Sequence, residues 1–416
     1  MTWLDPVAVL RSFGDEPWAA LLLSDGSAGA ERSFLFRKPA RTLVVSEADD
    51  GVAAVRAFLA EATGQVLALA AYELGAALEG LDLPRDDRWP DLILADYPAW
   101  LTFDHASRLI EAAGGAASWV ETLTPAPGAP VPGQISAEAP PDRYDAAVAA
   151  VVRRIGEGEL FQANIAQAWS GRLGAFDTPW AVFERLVAAS PAPLAAFWQL
   201  EGRALVSHSP ERFLSLNGRR VRTRPIKGTR PRGATAAEDS FLAADLAASA
   251  KDWAENLMIV DLMRNDLARV CAPGTVAVTE LNAVERFPHV WHLVSTVEGD
   301  LAEGRGIAEL IGATFPPGSI TGAPKHQAMR VIAELESAPR GPWCGALMRI
   351  ASAGEMDSSV LIRSAAFSLD ERGWAWRAQA GAGITADSDP VAERLETEAK
   401  FAALRQALAP TSVGET

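Results

Sequence analysis

Lys227 lies in the stretch Arg224-Pro225-Ile226-Lys227-Gly228-Thr229-Arg230-Pro231-Arg232-Gly233, where two prolines and two glycines argue for an ordered loop and against a long cationic helix. Alternation of apolar with charged or hydroxyl residues over 221–226 predicts a strand that delivers Lys227 at its end. A lysine fixed on such a turn is a candidate nucleophile once desolvation frees its amine; the competing reading is a solvated loop cation. With Arg219, Arg220 and Arg222 the stretch gathers seven cations in fourteen residues, which predicts an anionic visitor. Asp252 and Glu255 are i and i+3, as are Glu393 and Glu396, so each pair shares one helix face. Two such pairs on separate helices can converge on one Mg²⁺, although solvated helices carry the same pattern. Arg363, inside the apolar run 360–365, needs an anionic partner, and its fork matches a carboxylate. Glu211 falls in a turn, Ser209-Pro210-Glu211-Arg212-Phe213, and by itself reads as a surface residue. His292 either meets a ligand or satisfies a core hydrogen bond.

These groups need elements to hold them. Residues 50–63 predict an amphipathic helix, with Val52, Val55, Phe58, Leu59 and Ala62 on one stripe, and 66–72 and 92–95 predict buried strands. From 121 to 141 periodicity is lost among Pro125, Pro127, Pro130, Pro132, Pro140 and Pro141, the signature of a linker or long surface connection. A helix opens near Pro141 and closes at Gly156 or Gly158. The extended segment after it puts Gln162 and Asn164 on one face, as amide donors for a ligand or a hydrated edge. Helical patterning over 236–267 carries the first acid pair. Asp389 as N-cap and Pro390 at the first helical position start the helix that carries the second, with Lys400 one turn further on. The Gly/Pro/hydroxyl loop 315–325 runs into a helix with Met329, Val331, Ile332 and Leu335 inward, and its free N–H groups suit a carboxylate. The run Gln379-Ala380-Gly381-Ala382-Gly383-Ile384 lets backbone approach a ligand, but its spacing is not that of a dinucleotide loop.

A chain of 416 residues, 49% hydrophobic, can bury a large core as one big domain or two. Its net charge of −15 argues against nucleic acid as a partner, and no stretch of 18 uncharged apolar residues or leader pattern points to a membrane, so a cytoplasmic location is expected. The two cysteines, Cys271 and Cys344, fit a reducing compartment and supply neither a disulfide framework nor a metal site.

Taken together, Pro225-Ile226-Lys227-Gly228-Thr229-Arg230, the block 254–267, Pro317-Gly318-Ser319-Ile320-Thr321-Gly322-Ala323-Pro324-Lys325, Ile362-Arg363-Ser364-Ala365 and Gln379-Ala380-Gly381-Ala382-Gly383 resemble the chorismate-utilising enzymes. Within them the branch resembled most is component I of aminodeoxychorismate synthase, the para-aminobenzoate synthase large subunit. The resemblance implies an α+β fold of two large, mostly antiparallel sheets packed face to face with helices outside and the site between them. Residues 1–120 would form its N-terminal part, 121–141 a connection, 142–405 the chorismate-binding region and 406–416 a tail. It further implies that Glu255 and Glu396 hold Mg²⁺, supported by Asp252 and Glu393, and that the metal grips the ring carboxylate of chorismate. Arg363, the backbone of Gly381, Ala382 and Gly383, and Lys400 would take the enolpyruvyl carboxylate. Gly228, Thr229 and Ser319 would line the pocket, and His292 would sit near the departing 4-hydroxyl. Lys227 would attack C2 and Glu211 carry the proton. Gln162 stands where isochorismate and salicylate synthases use a water-activating lysine, so water addition is not expected. Trp343 replaces the family's more usual tyrosine. Ammonia would come from a separate glutamine amidotransferase subunit. The alternatives within the resemblance are an anthranilate synthase component I, which usually carries alanine in place of Lys227, and a catalytically silent chorismate-binding regulatory subunit.

Overall fold

The computed structural model describes residues 1–410 except 28–30, 49, 122, 124–132, 288–289, 337 and 352–353. Ten of the 21 residues of the Pro-rich connection therefore lie outside the described residues, as does His289. Two antiparallel sheets dominate. In strand order the first runs Gly322–Ala323, Gln162–Arg172, Gly373–Ile384, Ser364–Asp370, Arg203–Ser209, Leu194–Gln199, Ala20–Leu23, Arg32–Phe36, Trp100–Asp104 and Leu109–Ala113, with Gln134–Ala137 paired beside Gln162–Arg172. The second runs Ile226–Pro231, Val290–Asp300, Arg220–Thr223, Arg212–Asn217, Glu355–Val360, Ala346–Ala351, Gln65–Ala70, Leu92–Tyr97 and Arg41–Val45, with Ala277–Arg286 beside Val290–Asp300.

Period-two alternation explains why the sheets stack. In Gln65–Ala70, Leu67 and Leu69 point into a cluster with Ala20, Phe36, Ala196, Trp198 and Leu205 of the other sheet. Their neighbours Val66, Ala68 and Ala70 point the opposite way, under the helices Gly51–Ala60, Ala250–Ala268 and Ile307–Thr314. A strand with apolar residues on both faces is stable only when both are covered, which places it between a second sheet and a helical layer. The outer face of the first sheet is covered likewise by Pro179–Ala189 and Pro390–Leu408. Strands from the first 120 residues lie towards one end of each sheet, and at the other end Gln162–Arg172, Gly373–Ile384 and Ile226–Pro231 come together. No helix among the described residues is long and apolar enough to cross a membrane.

Several local expectations are corrected. The strand expected over 221–226 is broken into Arg220–Thr223 and Ile226–Pro231, both paired with Val290–Asp300, because Pro225 has no N–H to offer a ladder. Lys227 is thus near the beginning of a strand. The helical stretch 236–267 is two helices, Ala236–Ala248 and Ala250–Ala268, parted at Ser249, whose hydroxyl accepts from the Asp252 N–H at 3.3 Å and caps the second. Arg363 lies between strands at φ 51°, outside the apolar run's ladder.

A buried ion pair ties the layers near the site. Lys325 Nζ, at the head of Lys325–Leu335, donates to Asp266 at 2.8 Å and to the Thr314 carbonyl at 2.9 Å. Burial pushes the Asp266 carboxyl up to about 6 even against Lys325. Lys325→Met, which leaves that carboxylate uncompensated, should cost about 3–5 kcal/mol in urea unfolding, whereas Lys325→Met with Asp266→Leu should recover most of it. Equal losses in both would contradict this.

Candidate active site

The cationic stretch is the place to begin, because its charges are mostly spoken for. Arg219 donates to the Leu301 carbonyl, and Arg220 and Arg222 pair with Glu298, Arg220 also reaching Asp300. Arg224 pairs with Glu285, Arg230 with Asp245 and Asp252, and Arg232 with Asp239. The expected anionic visitor is, for the arginines, mostly the protein's own acids. Among the described residues Lys227 alone of the seven has no ion pair or hydrogen bond through its side chain.

A β-bulge aims that amine. Lys227 pairs with Leu293 and Thr229 with His292, so Gly228 is the extra residue, at φ +71°. A side chain there would be strained, and its Cβ would lie 2.9 Å from the Asp252 Cγ. The amine crosses to Gly383 of the other sheet, where an added Cβ would be 3.2 Å from Lys227 Nζ and 2.4 Å from Gln162 Nε2. Burial draws the amine below the ordinary lysine range; Glu255 opposes this, Lys400 adds to it, and Glu211 and Glu396 oppose it. A neutral amine is therefore more accessible here than on an exposed lysine.

Around Lys227 opens a cavity of about 660 Å³. Gly228, Thr229, Glu211, Ser319, Trp343, Arg363, Gly381, Gly383 and Lys400 line it, and so do all four acids, Asp252, Glu255, Glu393 and Glu396. Glu211, which by itself reads as a surface residue, is held by the Ser319 hydroxyl, and burial raises its pKa although Ser319, Lys227 and Lys400 pull it down. Lys400 donates to the Gly381 carbonyl at 3.0 Å and lies 2.7 Å from Glu396. Arg363 is exposed towards the cavity, with no carboxylate partner among the described residues.

Three residues stand back from this group. His292 meets Thr229 Oγ1 at 3.0 Å and the edge of Phe287, behind the lining, and burial lowers its pKa. Ala382 turns into the apolar cluster with Ile165 and Ala328, because strand alternation sends Gly381 and Gly383 to the cavity and the residue between them to the core. Gln162 is fully buried behind Gly383 with both amide atoms unpartnered. Asn164, expected as an amide donor for a ligand or a hydrated edge, lines the cavity, and so do Arg230 and Lys251, of which Lys251 is not among the expected site residues. The i, i+4 spacing of Lys251 to Glu255, 3.9 Å apart, was a readable signal.

The four acids supply hard oxygen donors on one wall. Burial raises Glu255, with Asp252 and Glu393 adding like-charge repulsion against Lys227 and Lys251. Among the described residues, however, no three His, Cys, Asp or Glu side chains converge closely enough to cage a metal. Arg230 lies 3.3 Å from Asp252, and Ser388 donates to Glu393 at 2.7 Å. The donor chemistry, four carboxylates lining one cavity, fits a hard cation such as Mg²⁺.

A family profile described as chorismate binding enzyme matches residues 17–406. Aminodeoxychorismate synthase component 1 of Klebsiella aerogenes is 39% identical over 351 residues, covering 80% of this chain and 75% of the relative. Anthranilate synthase component 1 of Thermus thermophilus is 38% identical over 369 residues, covering 84% and 79%. The crystal structure of anthranilate synthase component I from Streptococcus pneumoniae superposes with a TM-score of 0.78 at 27% identity, covering 91% of this chain and 93% of that one.

Two outcomes are expected. Acetylation by a small activated ester, followed by peptide mass spectrometry across pH 6–9, should modify Lys227 at lower pH than Lys38 or Lys251; the reverse order would show an ordinary amine. Gly383→Ala should lower turnover at least about 100-fold with little change in melting temperature, since its Cβ collides with Gln162 and crowds the amine.

Proposed function

The chain belongs to the chorismate-binding enzymes, and from that premise we propose that it is the chorismate-aminating component I of an aminodeoxychorismate synthase. Lys227 carries the proposal. The anthranilate synthase branch, similar in identity, usually has alanine at this position, and an unpaired, desolvated amine facing a cavity of substrate size is what covalent catalysis requires.

Neutral Lys227 bonds to C2 of chorismate while the ring double bonds shift and the C4–O bond breaks. Glu211, whose raised pKa lets it hold a proton, delivers that proton to the departing hydroxyl, which leaves as water. The lysine nitrogen, now secondary, returns its extra proton to Glu211. Ammonia then adds at C4, the double bonds shift back, and the C2–N bond breaks as Glu211 protonates the departing nitrogen, returning neutral Lys227; the ammonium formed at C4 gives its extra proton back to Glu211. Chorismate and ammonia have become 4-amino-4-deoxychorismate and water. Glu255 and Glu396 would hold Mg²⁺, with Asp252 and Glu393 beside them; when bound, the metal neutralises the ring carboxylate against an acidic protein. Arg363 and Lys400 offset the second carboxylate. Ammonia would come from a separate glutamine amidotransferase subunit, a reading supported by the naming of similar proteins as component 1. The product feeds 4-aminobenzoate and folate synthesis in the cytoplasm.

The test is an acid quench of protein mixed with chorismate and Mg²⁺ without ammonia, then peptide mass spectrometry. A Lys227 adduct weighing chorismate less water is expected, and adding ammonium should release aminodeoxychorismate. Lys227→Ala should retain chorismate binding and lose amination. Release of pyruvate and anthranilate by the wild type would instead make it an anthranilate synthase.

A further inference from the structure

Arg340 is absent from the cavity lining yet grips that lining at three places. Its Nη2 donates to the Asn164 carbonyl at 2.7 Å and its Nη1 to the Ile320 carbonyl at 3.1 Å. Its guanidinium carbon lies 4.9 Å from the Trp343 ring centroid and 4.5 Å from that of Tyr72. Asn164, Ile320 and Trp343 all line the cavity, and Ile320 directly follows Ser319, the residue that holds Glu211. Trp343 and Asn164 in turn pack against Gly381, where an added Cβ would lie 2.9 Å and 2.3 Å from their side chains.

The arginine is itself locked. Only 2% of its side chain is exposed, and Glu336 takes Nε at 3.0 Å and Nη2 at 2.7 Å while also accepting the Ala166 N–H at 3.0 Å. Its backbone N–H donates to the buried Glu73 carboxyl at 2.8 Å. A planar fork reaches a carbonyl on a strand, a carbonyl on a turn and a carboxylate at once, with two aromatic rings within cation–π distance. An ammonium does not.

We propose that Arg340 is a positioning residue for chorismate, setting the spacing between the strand Gln162–Arg172, the turn that carries Ser319 and the Trp343 ring, and so the width of the cavity beside Gly381. This rests on chorismate as the ligand, not on which amination follows. A wall of fixed width acts on substrate and transition state alike, so its loss should appear in KM and affinity more than in kcat.

The experiment measures chorismate affinity by calorimetry with Mg²⁺ present, alongside KM, kcat and melting temperature, for two variants. Arg340→Lys keeps the charge beside Glu336 but not the fork. Arg340→Met with Glu336→Gln removes both charges, so no buried ion is stranded and stability should lie near that of the wild type. Both should bind chorismate about tenfold more weakly, the loss of roughly one buried hydrogen bond, with kcat within about threefold. If Arg340 serves stability alone, the double variant recovers affinity along with its melting temperature. That result, or an Arg340→Lys affinity within about twofold of wild type, overturns the proposal. Because binding is read directly, a failure of the amination chemistry would leave this outcome legible.

Discussion

As the proposed nucleophile, Lys227 needs its neutral amine, a form that a directly paired carboxylate disfavours, in a chain with 53 acidic side chains. The chain meets that need by occupying the competing charges. Six arginines around Lys227 are matched to acids or a carbonyl, Lys400 is engaged by Glu396 and Gly381, and Glu211 is taken by Ser319. What remains is one buried amine, attracted by several acids at a distance and, among the described residues, bonded to none. The arrangement is electrostatically expensive, and it is tolerable because a buried amine can lower its charge instead of seeking a partner. Two glycines make it sterically possible: Gly228 turns the strand so that the lysine faces inward, and Gly383 leaves the space that its nitrogen takes up.

The sheets supply the rigidity that such a placement needs. Lys227 belongs to the second sheet and Gly383 to the first, so their separation is set by how the two sheets stack. That stacking is an interdigitated apolar layer containing Trp198, Tyr97 and Phe36, dense enough to resist small displacements. The acids come from two helices on different sheets, Ala250–Ala268 and Pro390–Leu408, each started by a capped N-terminus. The cavity is therefore a meeting point of strands from both sheets, the helices that cover them and the turns carrying Glu211, Ser319, Trp343 and Arg363.

Much of this was legible in the sequence for identifiable reasons. The acid pairs were readable because i, i+3 spacing fixes a shared helix face whatever the tertiary setting, and Asp389-Pro390 announced its helix start by capping chemistry, its side chain accepting the Ala392 N–H at 2.8 Å. Lys227 stood out through the loop around it. The pairing of Arg222 and Arg224 was not readable, since Glu298 and Glu285 are brought to them by strand register rather than by nearness in sequence. The backbone role expected of Ala382 does not depend on the face its side chain takes, and strand alternation sends that side chain to the core. Arg363 was placed in a strand because its neighbours are apolar, whereas its positive φ puts it in a turn. Arg340 gave no signal at all: a lone arginine in Pro339-Arg340-Gly341 says nothing of the rings and carbonyls that surround it.

The interleaving of distant segments in both sheets also bears on how the protein is made. Gln65–Ala70, buried along its whole length, takes its second neighbour from Ala346–Ala351, and Ala20–Leu23 takes one from Leu194–Gln199. During synthesis those early strands emerge from the ribosome long before the partners that cover them. For most of translation the nascent chain must carry open hydrogen-bonding edges and greasy surfaces, a state that favours slow maturation and reliance on chaperones.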